Sequence, residues 1–289
     1  MNLGVSSVED SEQFDIRAFE KEIEIWAKGV SQEARCAFAS QCAARALPNI
    51  AGAPRPKDFT GFSFDLDLIR AALTSAIAST IPTVGVKSAA SAARSAASAA
   101  AAASPAQSAS QFTSLSAARS TQSAAFSYSP SDTFPSVYSS VARTASSSIR
   151  SVASATQTTF FDGTSFSDGT EFWDASAKRA AVNSTAEATF SANELLNHFA
   201  PNAQFDNPLW LDVTWPEEIA ENWATLRGEW STDPAMAFWI DWYEGLLAGR
   251  APDWALWHDI ALIDDEHWEA GPEAVAREIE ILQAAHNLD

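Results

Sequence analysis

The residues with the greatest capacity for chemistry lie close together near the carboxyl end of the chain. His258 and Asp259 are followed by the run Asp264-Asp265-Glu266-His267. Imidazole and carboxylate groups bind zinc, manganese and non-haem iron, so the weak candidates for metal ligands are His258, Asp264, Asp265 and His267. The two histidines are nine positions apart, which differs from the i, i+4 spacing of a metal-binding pair on one helix face. A helix start is the favoured explanation of the acids, because Asp264 or Asp265 caps a helix and acids favour its first turn.

A second candidate for chemistry is the group of polar residues that lies among tryptophans. Asp241, Tyr243 and Glu244 alternate with Trp239 and Trp242 in the sequence. Burial beside aromatic rings raises the pKa of a carboxylate, which suits acid–base catalysis. Carboxylates three positions apart also occur on the exposed face of many helices, so this pattern does not establish an active site.

Nine of the eleven tryptophans lie between Trp210 and Trp268, and this density indicates a folded segment because disordered acidic segments are poor in aromatic residues. Their helical spacing favours core packing. Tryptophan and tyrosine are also frequent binding residues at interfaces, where a rim of acids suits a basic partner. The candidate interaction residues are Trp239, Trp242, Tyr243, Glu244, Trp257 and Trp268.

The net charge of −19 is concentrated in the last part of the chain, since residues 161–289 carry 25 acidic residues and five basic ones. Such a surface repels nucleic-acid phosphates and anionic lipids, so we expect neither nucleic acid nor a membrane as a partner. It attracts a basic protein, or it serves solubility alone. The chain contains no Gly-rich phosphate loop, no Gly-x-Ser-x-Gly and no Cys-x-x-Cys, so we expect no cofactor and a binding protein rather than an enzyme.

The expected cellular compartment is inferred from targeting and membrane-spanning features that the sequence does not contain. The amino terminus has neither a basic region nor an apolar run typical of a signal peptide, and no stretch of about 18 apolar residues is present. Cys36 and Cys42 fall six positions apart in a predicted helix, where they point in different directions and cannot form a disulfide with each other. These features predict a cytoplasmic protein with two buried thiols.

Hydrophobic periodicity predicts helices and no alternating strands. Ser31, Asp233 and Asp253 are expected to cap helices, whereas Gly249 is expected to end one. Pro272 suits the first turn of the final helix. Two Asp-Gly pairs within residues 160–170 predict turns or a short hairpin, and a further helix is expected over residues 171–199.

The segment 83–160 is biased towards alanine and serine, and two interpretations remain open for it. Arginines at positions 70, 94, 119 and 143 are 24, 25 and 24 residues apart. A period near 24 suits a short helix and a turn that stack on their neighbours. Low complexity and abundant serine favour a partly disordered linker instead.

Several motifs resemble a bacterial family of uncharacterised helical proteins. They are Ala46-Leu47-Pro48, the Ala-rich middle, Glu171-Phe-Trp173, Pro208-Leu-Trp210, Phe238-Trp-Ile-Asp-Trp-Tyr-Glu244 with Gly249-Arg250, and Trp268-Glu-Ala-Gly-Pro272-Glu-Ala-Val275. The middle of that family is richer in alanine and aspartate, which serine and threonine replace here. Similar modules precede effector-like or signalling domains, so the resemblance implies a sensing or scaffolding role; the family has no known activity to carry over to this chain.

The sequence therefore predicts an all-α protein of short packed helices in three segments. These are an N-terminal helical segment (1–82), an Ala/Ser-rich segment (83–160) and an acidic Trp-rich helical module (161–289). We expect a protein-interaction or scaffolding module, in signalling or defence, that binds a protein partner or associates with itself. The alternatives are a metal-dependent enzyme that uses the His258–His267 cluster and an acidic mimic that captures a basic protein.

Overall fold

The computed structural model describes residues 16–51, 59, 61–104, 109–126, 138–148, 151, 205, 208–209 and 217–287. These residues are helical with short connections, and no strand occurs within them. The all-α prediction is confirmed. The predicted turns at 160–170 and the predicted helix at 171–199 lie outside the described residues.

The first helices end where the sequence supplies caps and proline. They are α1 (Ile16–Gly29), α2 (Gln32–Ala46) and α3 (Ser63–Thr80), with a 3₁₀ turn at Leu47–Ile50. Ser31 caps α2 by accepting a hydrogen bond from the Ala34 amide at 3.2 Å. Pro48 stands in the 3₁₀ turn that follows α2, because proline cannot continue the helix ladder.

The Ala/Ser-rich segment contributes three packed helices. They are α4 (Val84–Ala103), α5 (Ala109–Phe126) and α6, whose described part spans residues 138–148. The arginines with the 24-residue period fall one on each of α3, α4, α5 and α6. Helices therefore recur with this period, and α4 packs against both α3 and α5.

The carboxyl-terminal helices are short and begin at the predicted caps. They are α7 (Glu217–Trp230), α8 (Ala237–Ala248), α9 (Trp254–Ala261), α10 (Asp265–Ala270) and α11 (Pro272–His286), with a 3₁₀ turn at Pro234–Met236. Asp253 caps α9 by accepting from the Leu256 amide at 3.0 Å. Gly249 ends α8 with a φ of 64°, the left-handed conformation that glycine adopts without strain.

One hydrophobic core joins the first and last predicted segments. It contains Leu73 of α3, Ala97 of α4 and Trp239 of α8, all fully buried. The Tyr243 hydroxyl donates to the Ala44 carbonyl at 3.1 Å, and the Trp230 indole donates to the buried Asp65 carboxylate at 2.8 Å. The C-terminal helices are thus built onto α2 and α3 rather than forming a separate body.

A smaller cluster joins α1, α2 and α6. Ile23, Phe38, Cys42 and Val141 are its largest fully buried members. Both cysteines are buried free thiols. Among the helices that the structure describes, none combines the length and the apolar character needed to cross a membrane.

Candidate functional site

An open cleft of about 520 Å³ lies where three helices meet. Residues at one-turn spacing line it from each helix, which places them on one face. The lining residues are Ser63, Asp67 and Arg70 of α3, Ala92, Ser95, Ala96 and Ala99 of α4, Asp265, Trp268 and Glu269 of α10, and Phe59. The cleft therefore combines two aromatic rings, small residues and three carboxylates with a single basic side chain.

Arg70 joins α3 to α10 at the cleft. Its side chain is only 4% exposed, and Nη2 donates to Asp265 Oδ1 in a short ion pair. The guanidinium carbon lies 4.8 Å from the centre of the Trp268 ring, which is the geometry of a cation–π interaction. The Trp268 indole also donates to the Ile263 carbonyl at 3.1 Å. These two contacts fix the Trp268 ring at the side of the cleft. Arg70 Nε is buried without a hydrogen-bond partner among the described residues.

Asp67 is the unusual residue of this site. Its carboxylate is half-buried in the cleft and receives no hydrogen bond within the described part of the chain. Burial raises the pKa of Asp67 from 3.8 to about 6, and the positive charge of Arg70 offsets part of that rise. A cleft residue with a raised pKa and no partner is a candidate for ligand contact.

The surface beside the cleft is strongly acidic. Asp264, Glu266, Glu269 and Glu273 are all exposed on α10, its cap and the first turn of α11. In the described residues, these four carboxylates form no ion pair. Two carboxylates of α8 are instead matched by arginines, since Glu244 binds Arg227 at 2.6 Å and Asp241 binds Arg250 at 2.8 Å.

The structure places five of the six predicted interaction residues in the core. Trp239 and Tyr243 are 0% exposed, Trp242 and Trp268 are 4% exposed, and Trp257 is 8% exposed. Their helical spacing turns them towards α2, α3 and each other, so they offer a partner no continuous surface. Only Glu244 remains accessible, and its carboxylate is held by Arg227.

The four weak metal-ligand candidates do not converge. Asp265 binds Arg70, His267 Nε2 lies 3.4 Å from Glu278, and His258 Nδ1 lies 3.1 Å from Asp259. Asp264 occupies the cap position of α10. Within the described residues, no three His, Cys, Asp or Glu side chains are arranged to hold a metal ion.

A carboxylate between two imidazoles connects α9 with the end of α11. Asp259 Oδ1 lies 3.1 Å from His258 Nδ1, and Asp259 Oδ2 lies 3.0 Å from His286 Nε2. Burial acts to raise the pKa of Asp259, but the hydrogen bonds from His258 and His286 outweigh it and lower that pKa below its ordinary value. No hydroxyl or thiol of the described residues joins these imidazoles, so the group fastens two helices and forms no nucleophilic triad.

The Cys42 thiol and the Tyr243 phenol are both buried, and burial favours their neutral forms. Burial raises the pKa of Cys42 to about 12, and burial likewise raises the pKa of Tyr243 well above its ordinary value, while the nearby Arg45 opposes both shifts. Arg45 itself donates from Nε to the Leu209 carbonyl at 2.9 Å. This hydrogen bond holds Leu209 against α2.

Sequence reasoning missed the cleft, although its residues were visible. Arg70 was predicted only as one member of a spaced arginine series, and Asp265 only as a cap or ligand. Asp67 and Trp268 are 201 positions apart, so no local spacing relates them. The local signal was the spacing of Ser63, Asp67 and Arg70 on one face of an otherwise apolar helix, which does not show that α10 packs beside that face.

Comparisons with protein-family models, with curated proteins and with solved structures find no match to this chain. The resemblance to bacterial helical proteins therefore stays a prediction. The fold and the cleft define an all-α protein with a tryptophan-packed core and an acidic, partly aromatic cleft.

Proposed function

We propose that this protein is an interaction module that binds a basic protein segment at the acidic surface around the cleft. The observation that carries the proposal is a group of four exposed carboxylates, Asp264, Glu266, Glu269 and Glu273, that form no ion pair with the described residues. Glu269 also lines the cleft, together with Asp67 and Asp265. Unpaired charge of one sign next to a concave surface concentrates ligands of the opposite sign.

The geometry also favours this surface over the tryptophan surface and the alanine-rich face that the sequence suggested. The candidate tryptophans are buried in the core. Ala90, Ala93, Ala97 and Ala100 of α4 are fully buried against the neighbouring helices, so their contacts are internal and supply no face for a second copy. The metal alternative has no convergent ligand set in the described residues.

Fluorescence anisotropy with a labelled octalysine peptide tests the proposal, with octaglutamate as the negative control. The double variant Glu266→Gln, Glu273→Gln removes two charges beside the cleft. The matched double variant Glu221→Gln, Glu280→Gln removes two exposed charges from α7 and the middle of α11. We expect the first pair to weaken octalysine binding about fivefold and the second pair less than about twofold, with affinity falling as salt rises.

Two results would contradict the proposal. If octalysine does not bind at low salt, the acidic surface is not a docking site for basic segments. If the two double variants weaken binding equally, net charge alone attracts the peptide and the cleft region has no special part.

A further inference from the structure

The carboxylate of Asp67 in the cleft is not held by an ion pair or a hydrogen bond from the described residues. Among the described residues, three carboxylates line the cleft, and Arg70 is the one basic residue that lines it. That guanidinium is committed to Asp265 and to the face of Trp268. Asp67 lies one turn before Arg70 on the same helix and receives no hydrogen bond from the described residues.

The walls around Asp67 are apolar or small. Phe59 lies on one side, where it packs edge-on against Phe64 with ring centres 5.5 Å apart. Ala92, Ala96 and Ala99 line the cleft from α4. A slender aliphatic stem fits between an aromatic ring and a face of alanines, and it buries its methylene groups there.

The charged end of the ligand is inferred from the polar groups that line the cleft. The carboxylate of Asp67 suits the ammonium group of lysine, which acts as a compact point charge with three donors. Ser63 Oγ lines the cleft one turn before Asp67 and provides a hydroxyl acceptor within the same site.

We propose that the cleft receives one lysine side chain of the basic partner, with Asp67 as the counter-ion of its ammonium group and with Phe59 and the alanines of α4 along its stem. This inference rests on the proposed function and specifies how the partner is held. Arg70 and Trp268 act as positioning residues, because they fix the wall and do not contact the ammonium group.

Binding of the ammonium group is coupled to the protonation of Asp67. The charged groups that line the cleft with it are Arg70 of α3 and Asp265 and Glu269 of α10, while α4 contributes only alanine and serine. Because burial raises the pKa of Asp67 to about 6, the free protein carries a proton there at pH 5 and is ionised at pH 7.5. A bound cation favours the ionised form, so binding at pH 5 must release that proton.

Isothermal titration of octalysine into the full chain tests the proposal. At pH 7.5 we expect Asp67→Asn to weaken binding at least about tenfold, whereas Glu280→Gln, which removes the same charge from an exposed site, changes it less than about twofold. Wild-type affinity should rise about tenfold from pH 5 to pH 7.5, and titrations in buffers of different ionisation enthalpy should show the release of about one proton at pH 5. Both effects should be absent in Asp67→Asn.

The outcomes separate this inference from the proposed function. If octalysine binding responds to Glu266→Gln, Glu273→Gln but not to Asp67→Asn, the docking surface stands and the lysine cleft is overturned. Absence of proton release at pH 5 also overturns it. Circular dichroism of Asp67→Asn confirms that the variant is folded. If octalysine does not bind at all, both proposals fail together.

Discussion

The tryptophan-rich helices α7 to α11 and the serine-rich helices α5 and α6 bury their faces by opposite means. In the first region, indole rings meet edge-on, as in the pairs Trp223–Trp230 at 5.7 Å and Trp239–Trp242 at 6.0 Å between ring centres. In the second region, the buried side chains are mostly hydroxyls and methyl groups. The Ser116 hydroxyl donates to the Thr144 carbonyl at 3.1 Å, and the Ser140 hydroxyl donates to the Arg119 carbonyl at 3.0 Å.

The difference shows two sources of stability within one chain. Each buried indole removes a large apolar area from water, so the aromatic region contributes most of the hydrophobic free energy. Alanine and serine bury little area, but their size lets helices approach closely, and hydroxyls satisfy backbone carbonyls between helices. The aromatic region should therefore be sensitive to lost volume, and the small-residue region to added volume.

The largest effect is expected for Trp239→Ala. Trp239 is fully buried and contacts the rings of Phe238, Trp242 and Trp268. Its removal leaves a cavity that the surrounding helices cannot fill, at a cost of about 3–5 kcal/mol in the free energy of unfolding. Urea denaturation followed by circular dichroism measures this value. A loss below about 1 kcal/mol would show that Trp239 does not pack as described.

An intermediate effect is expected for Ala93→Leu, which adds volume where α4 meets its neighbours. Ala93 is fully buried, whereas Ala102 on the same helix is exposed. Overpacking at position 93 should cost about 1–3 kcal/mol in the free energy of unfolding. Ala102→Leu is the matched control and should change it by less than about 0.5 kcal/mol. Equal effects in the two variants would mean that α4 is not closely packed at Ala93.

The smallest effect is expected for Ser116→Ala, which removes one interhelical hydrogen bond between α5 and α6. We expect a cost of about 1 kcal/mol in the free energy of unfolding, because a buried carbonyl loses its donor. Ser91→Ala is the control, since the exposed Ser91 hydroxyl donates to the Lys87 carbonyl of its own helix, α4. If Ser116→Ala proved neutral, the hydroxyl network would not contribute to the joining of α5 and α6.

The helices were predictable from the sequence because their limits depend on local chemistry. A helix begins within one turn of the side-chain caps Ser31 and Asp253, and another ends at the left-handed backbone of Gly249. The helical spacing of Trp239 and Trp242 also favoured a core position. That spacing could not exclude a binding surface, because tryptophan suits both environments.

The cleft was not predictable, because it depends on how distant helices meet. Asp67 resembles any helical aspartate until α10 places Trp268 and Glu269 beside it. Likewise, the ion pair of the buried Arg70 with the exposed Asp265 joins residues 195 positions apart. Tertiary packing creates both the burial and the charge imbalance, and neither leaves a periodic pattern in the sequence.

The shared core has a consequence for how the chain is made on the ribosome. The N-terminal helices α2 and α3 leave the ribosome with apolar faces whose partners, including Trp230 and Tyr243, are encoded more than 150 residues later. At about 5–20 residues per second, those faces wait on the order of ten to forty seconds for the helices that cover them. During that interval the nascent chain exposes a surface suited to a chaperone, and completion of the last helices is the event that closes it.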